Sequence, residues 1–366
     1  VSYLKANVII EFTDLTRCFT DIVELMAAHN IKLTTKGNVY CLVSAFGTAE
    51  LKLKQTCLDV SIEASSPASF NRLKTELTGL IEFAAQDEKL DIQWTGDSIG
   101  AVLPPDLRVL MVSNVQQITP RIRRVSFGGS NLDRYAVSDQ LHCRILFIDK
   151  GTKQYQWPML GDDGRIIWPE TGKIATRIFT IRSIDVEAGT LDIDFVMHDG
   201  KGPASAWVAE AESGDVVGIL GPDAHGPKPA EQYFLAGDET GLPAIARILE
   251  ALPTTASGCA IIEVNDSCEK QQINAPSGIT ITWLYRGGAK AGTTTLLIDA
   301  FRELSLPENH DLAFYWVGAE LSACRAIRNY LRSDMKVPSE RMVCFSHWRR
   351  GMSEEDIIEA GPSALS

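Results

Sequence analysis

Positive charge is what this sequence is short of: 35 Lys and Arg stand against 47 Asp and Glu, a formal net charge of −12 over 366 residues. Nucleic acid and anionic membrane both reward clustered Lys and Arg, so neither is expected as the main partner. Long apolar runs are lacking as well, and no stretch would span a bilayer, so no membrane insertion is expected. The opening VSYLKANVIIEF has no charged start, extended apolar core or small-residue cleavage site of a secretory signal, which points to the cytoplasm. Closely spaced cysteine pairs are missing too. Cys18, Cys41, Cys57, Cys143, Cys259, Cys268, Cys324 and Cys344 are scattered, which argues against compact zinc, iron–sulfur or dithiol sites and leaves reduced structural thiols as the expectation.

A chain of this length exceeds one ordinary core, so a multidomain α/β protein of two or three domains is expected. Residues 1–95 read as a small α+β unit. DLTRCFTDIVELMAAH spaces Leu15, Phe19, Ile22, Val23 and Met26 at three and four, an amphipathic helix. The runs VYCLVSAF and CLDVSIEA read as strands, and Ser66-Pro67 opens a second helix carrying Phe70, Leu73, Leu77, Leu80, Ile81 and Ala84 on one side. Residues 95–106, rich in Gly, Ser, Asp and Pro, read as a linker. Over residues 104–228, short strand candidates such as LRVLMVSNVQQI, RIRRVSFGG, LHCRILFID, RIFTIRSID and LDIDFVMHD predict an antiparallel barrel. From about residue 229 to 366, strands alternate with helices, which predicts a doubly wound, mostly parallel sheet with ligands beyond the carboxyl ends of its strands.

Four segments carry the candidate chemistry. In RIFTIR, Arg177 and Arg182 bracket Phe179 and Thr180; a flat apolar ring, a hydroxyl and fixed positive charge are what a flavin and its pyrophosphate require. Phe179 and Thr180 point to opposite faces of a strand, so such a ligand has to lie along the strand edge. In HDGKGPASAW, Gly202 and Pro203 suit a helix start whose free N–H groups favour a phosphate, beside His198, Lys201, Ala204 and Ser205. In AGDETGLPAIAR, Asp238 and Thr240 sit on a strand-to-helix turn fit for a nucleotide, though the turn is neither a Walker A nor a full G-x-G-x-x-G. Glu263 or Asp266 suit ribose hydroxyls and Arg286 a 2′-phosphate, two cues that point to different nicotinamide nucleotides. The basic cluster His347, Trp348, Arg349 and Arg350, with Arg144 from the barrel, is a candidate wall for an anionic ligand.

Taken in order, RIFTIR, the H-x-x-x-G-P-A-S-x-W segment, AGDETGLPAIAR, YWVGAELSACRAIR and WRRG resemble the siderophore-interacting protein family, over roughly residues 104–355. The first 95 residues resemble a small domain of unknown function fused to some of its members. The resemblance implies an FAD-binding Greek-key barrel and a nucleotide-binding domain of the ferredoxin-reductase type. It implies a ferric-siderophore reductase with FAD as cofactor and NAD(P)H as donor; a flavin reductase that uses ferredoxin as donor or another acceptor, and a siderophore-binding protein without catalysis, are the alternatives. By the same carry-over, Arg177, Phe179, Thr180, Arg182, His198, Lys201, Gly202, Ala204 and Ser205 would hold the flavin, and Arg144, His347, Arg349 and Arg350 an anionic ferric siderophore. Family members usually carry tyrosine at the positions of Phe179 and His347, and lysine at that of Arg144.

Overall fold

The protein is described by a computed structural model covering residues 3–28, 31, 33–85, 88–150, 152, 155–198, 202–353 and 356, with the side chains of residues 28, 224, 225 and 347 left out. The chain divides into two compact units. The first gathers residues 1–107, 151–174 and 358–366; the second gathers residues 108–150 and 175–357.

In the first unit, strand β1 (Leu4–Glu11), helix α1 (Leu15–Ala28), strands β2 (Leu33–Lys36), β3 (Val39–Ser44), β4 (Gly47–Leu53) and β5 (Cys57–Ala64), helix α2 (Pro67–Ala84) and strand β6 (Thr95–Gly96) follow in order. The antiparallel sheet runs β2-β3-β4-β5-β1-β6. Ala6, Val8 and Ile10 alternate inward from β1 and meet Phe19, Ile22 and Met26 of α1 and Phe70, Leu73, Leu77 and Ile81 of α2 in one core. Ser66 caps α2 by accepting from the Ser69 N–H at 3.2 Å, with Pro67 at the first helical position, as the sequence implies. Residues 95–106 are not a free linker: Thr95 and Gly96 extend the sheet beside β1, and Val102 bridges to Leu160.

Residues 151–174 interrupt the barrel sequence yet fold with this first unit. Asn71 of α2 donates to the carbonyl of Leu160 at 3.1 Å. The ammonium of Lys74, only 2% exposed, donates to the Asp162 carbonyl at 3.0 Å and to its carboxylate at 3.3 Å, over the ring of Phe70. A buried ammonium is costly without such partners, so this lysine selects the segment that covers it.

The second unit opens with β7 (Arg108–Thr119), β8 (Ile122–Gly128) and β9 (Gln140–Phe147). After the interruption, which contains the short pair β10 (Met159–Leu160) and β11 (Ile166–Ile167), come β12 (Ala175–Asp185), β13 (Thr190–Val196), α3 (Pro203–Glu210) and β14 (Val216–His225). The six long strands close an antiparallel barrel in the order β12-β13-β8-β7-β14-β9. Its interior is filled by Val125, Phe127, Ile145, Ile181, Ile193, Phe195 and Ile219, and Trp207 of α3 plugs against Phe147 and Phe195.

The remainder forms a five-stranded sheet from β15 (Gln232–Gly237), β16 (Ser257–Val264), β17 (Gly278–Tyr285), β18 (Ala313–Glu320) and β19 (Met342–Trp348), with α4 (Leu242–Ala251), α5 (Leu296–Arg302) and α6 (Leu321–Asn329). Its order is β17-β16-β15-β18-β19 and every pairing is parallel. Successive residues of β15 serve opposite faces. Tyr233 and Leu235 pack with Ile245 and Ile248 of α4, whereas Phe234 and Ala236 pack with Leu297 and Phe301 of α5 and Ile327 of α6. Helices on both faces make the sheet doubly wound, with its order reversing between β15 and β18, where such sheets open a ligand crevice.

Candidate functional site

The strand β12 changes partner halfway. Residues Ala175 to Thr180 pair with β9, but pairing with β13 begins only at Ile181, opposite Ile193, with a bulge just beyond. The barrel therefore splays between residues 177–180 of β12 and 194–196 of β13, leaving a strand edge outside the ladder. A cleft of about 690 Å³ opens along that edge. From the barrel side it is lined by Arg177, Phe179, Thr180, Asp194, Phe195, His198, Gly202, Ala204 and Ser205; from the parallel-sheet side by Glu239, Thr240, Pro243, Phe345, Trp348 and Met352, among others.

The edge solves the geometric problem posed by the sequence, because both faces of the strand border the same opening. Phe179 is half-buried, packing on Phe195 with ring centroids 4.5 Å apart. Thr180 faces the other way and is buried, and its hydroxyl has no hydrogen-bond partner among the described residues. A buried hydroxyl left unmatched costs about 1–3 kcal/mol, which a polar ligand in the cleft would remove. Across the opening, Gly202 and Pro203 start α3, and Ser205 Oγ lies 2.8 Å from His198 Nε2. An apolar cleft with an orphaned hydroxyl, the arginine Arg177 and an uncapped helix start fits a dinucleotide with a planar ring and a pyrophosphate.

The turn after β15 is built by close approach. A Cβ on Gly241 would lie 2.0 Å from the carbonyl oxygen of Gly318 in β18, so only glycine lets the two chains pass there. Asp238 is buried and accepts four hydrogen bonds: from Thr240 N–H (2.8 Å) and Oγ1 (2.5 Å) on one oxygen, and from Glu320 N–H (2.9 Å) and Trp348 Nε1 (2.9 Å) on the other. Burial raises its pKa, the neighbouring Glu239 adds to that, and the Thr240 and Trp348 bonds oppose it. Glu320 caps α6 through the Ser322 N–H and accepts from the Arg350 N–H at 3.0 Å.

Other residues singled out in the sequence lie elsewhere. Arg182 does not line the cleft: both its terminal nitrogens reach Glu250 of α4 at 2.7 Å, so its charge is spent on an ion pair. Asp238 organises the turn from behind rather than facing the opening. Arg144 donates to Thr176 Oγ1 at 3.0 Å, and Arg349 and Arg350 flank the cleft without lining it. Lys201 and the side chain of His347 lie outside the described residues. Arg286 is closed off from any 2′-phosphate; it is buried against Glu239 and Glu263, and Thr294 donates to Glu263 at 3.0 Å. Asp266 caps a short turn by accepting from the Cys268 N–H.

Trp348 lines the cleft, as its place in the basic cluster suggests, but the sequence does not disclose its bond to Asp238, nor Arg247 as a tie. Arg247 of α4 donates to the carbonyls of Tyr135, Val137, Leu141 and Ile181, at 2.7 to 3.2 Å, pinning that helix to the barrel. Burial lowers its pKa to about 10, which leaves it charged at neutral pH.

A closed antiparallel barrel with a cleft at its splayed edge, backed by a doubly wound sheet, defines a flavoprotein oxidoreductase, and FAD is its cofactor. The model of the siderophore-interacting FAD-binding domain matches residues 111–226, and that of the siderophore-interacting protein matches residues 230–351. The chain belongs to the siderophore-interacting protein family. It is 30% identical to the ferric vibriobactin reductase ViuB of Vibrio cholerae over 251 residues, 68% of this chain and 91% of that protein. It is 31% identical to the NADPH-dependent ferric-chelate reductase of Escherichia coli K12, over 66% of this chain and 92% of that one. Among solved structures, a siderophore utilization protein from T. fusca superposes with a TM-score of 0.61 at 37% identity, covering 72% of this chain and 98% of that chain.

Proposed function

We propose that the protein is a ferric-siderophore reductase that takes reducing equivalents from a nicotinamide nucleotide and delivers them to Fe(III) held in an anionic chelate. The observation that carries this reading is the shared cleft: the RIFT edge of β12, with its orphaned Thr180 hydroxyl, and the Gly202-Pro203 helix start border one opening. The names of the relatives from Vibrio cholerae and Escherichia coli point the same way.

When bound, the flavin supplies the conversion between a two-electron hydride donor and a one-electron ferric acceptor. Arg177 and the helix start at Gly202, with Ser205, would offset its pyrophosphate charge, and Thr180 would donate to or accept from the ring system. Phe179 keeps an apolar surface beside the ring and shuts water out of that side of the cleft. Thr240 and Glu239 line the cleft from the parallel-sheet side, where a nicotinamide nucleotide would approach. Arg349 and Arg350 at the rim, and Arg144, supply local positive charge that would attract an anionic chelate to an otherwise acidic protein. Reduction in the cytoplasm would release iron, because Fe(II) is held less strongly than Fe(III) by hard oxygen ligands.

The test is direct. Protein loaded with FAD is reduced anaerobically with NADH, NADPH or reduced ferredoxin, then mixed with ferric dicitrate and a ferrous-specific chromophore. Rapid reoxidation with colour from Fe(II) is expected, and no reoxidation by any ferric chelate would remove the assignment. Thr180→Val should weaken FAD binding about tenfold, the value of one hydrogen bond in a dry site, read by flavin fluorescence titration.

A further inference from the structure

Three strands of the parallel sheet end around one buried carboxylate. Asp238 follows the last residue of β15, Glu320 is the last of β18, and Trp348 is the last of β19. All four hydrogen bonds to Asp238 come from donors, two to each oxygen, so the group acts purely as an acceptor. One donor is backbone at Glu320 and two belong to Thr240, which lines the cleft. The fourth is the indole N–H of Trp348, which also lines the cleft.

The ring of Trp348 is constrained a second time. A Cβ on Gly292, which sits at φ +68°, would lie 3.0 Å from the Cη2 atom and 3.5 Å from Cζ2 of that indole. The indole nitrogen is thus bonded to the carboxylate while the six-membered ring lies close to Gly292, where a side chain would crowd it, and the chain just beyond is fixed by the bond from Arg350 N–H to Glu320. Indole N–H groups in folded proteins find a partner when buried, but a partner that also binds two other strand ends makes the ring part of a rigid frame.

We propose that Asp238 is a positioning residue whose carboxylate sets the indole of Trp348 as the cleft wall against which the ferric chelate is held. This rests on the reductase reading above. Asp238 touches neither cofactor nor chelate; it acts through Trp348, whose flat apolar face would present a fixed contact surface beside the positive charge of Arg349 and Arg350. A wall that binds chelate and transition state alike changes KM and leaves kcat nearly intact.

The experiment is a double-mutant cycle on the FAD-loaded full chain. Asp238→Ala removes the acceptor, and Trp348→Phe keeps a ring but removes the donor. With the nicotinamide donor saturating, so that any loosening of Thr240 does not limit turnover, each is expected to raise KM for ferric dicitrate, and for the ferric complex of 2,3-dihydroxybenzoate, about tenfold with kcat within about twofold and the FAD affinity unchanged. The double variant should be no worse than Asp238→Ala alone, since that change already removes the bond to Trp348. The near-UV circular dichroism band that distinguishes wild type from Trp348→Phe should vanish in Asp238→Ala. Additive losses in the cycle, or a retained Trp348 band, would overturn the proposal. Should Asp238→Ala fail to fold, Trp348→Phe alone decides: an unchanged KM refutes the role. Wild-type protein that reduces no ferric chelate would instead undo the reductase reading, and the positioning claim then stands or falls on the dichroism band.

Discussion

At the scale of single residues, the site depends on acceptors and donors left for others to complete. Thr180 shows an unmet hydroxyl, whereas Glu320 is fully engaged, bonded by Ser322 and by the Arg350 N–H. Burial would raise the Glu320 pKa, but these bonds outweigh it and hold the carboxylate below its usual 4.5. A depressed carboxylate adds stability above its unfolded pKa and loses it as pH falls through the folded value. Glu320→Gln should therefore lower stability at pH 7 by about 1–3 kcal/mol, and the gap to wild type should shrink as pH falls below about 4.5. Urea midpoints at pH 7 and at pH 4 measure it; a gap that widens in acid would contradict the assignment. Some of these roles were legible in the sequence. Phe179 and Thr180 adjoin in one strand, so their chemistry could be read locally. Asp238 and Trp348 are separated by 110 residues, and no local pattern announces that a sheet will bring them to 2.9 Å.

At the scale of elements, the alternation of apolar residues disclosed most strands and the three-and-four spacing disclosed the helices. Several strands escaped, two of the longer ones for identifiable reasons. β1 alternates Ala6, Val8 and Ile10 inward, but its exposed Ile9 blurs the pattern, and β14 carries Gly218, Gly221 and Pro222 that read as a turn. At Arg182 a strand pattern shows the charge and not the helix opposite it. Its partner Glu250 lies on α4, so this pair ties α4 to β12 beside the four carbonyl bonds of Arg247. Glu250→Ala would leave a mostly buried guanidinium alone, and because Glu250 is itself partly exposed the expected loss is about 2 kcal/mol of stability. FAD affinity should hold within about twofold, since Arg182 does not face the cleft. A large fall in flavin binding with unchanged stability would restore Arg182 to the cofactor site.

At the scale of the whole molecule, composition and charge defined a multidomain acidic protein, and the barrel with its doubly wound partner followed from the order of strands and helices. What composition could not show is that residues 151–174 leave the barrel sequence to join the first unit, since that choice is made by Lys74 and Asn71 far upstream. A fragment of residues 108–366 would carry this segment without its partners. Limited proteolysis followed by mass spectrometry should cut that fragment between residues 151 and 174 at least tenfold faster than the full chain, as expected for backbone stripped of its packing. Equal cutting rates would mean the segment holds its shape unaided.

The grip of Arg247 on the barrel has a further consequence. Its four acceptors are main-chain oxygens, which every amino acid supplies alike. The join itself asks nothing of the side chains at 135, 137, 141 and 181, so a random mutational survey should find volume-conserving apolar changes tolerated at the buried positions 135, 141 and 181, and intolerance concentrated on the single guanidinium that reaches across.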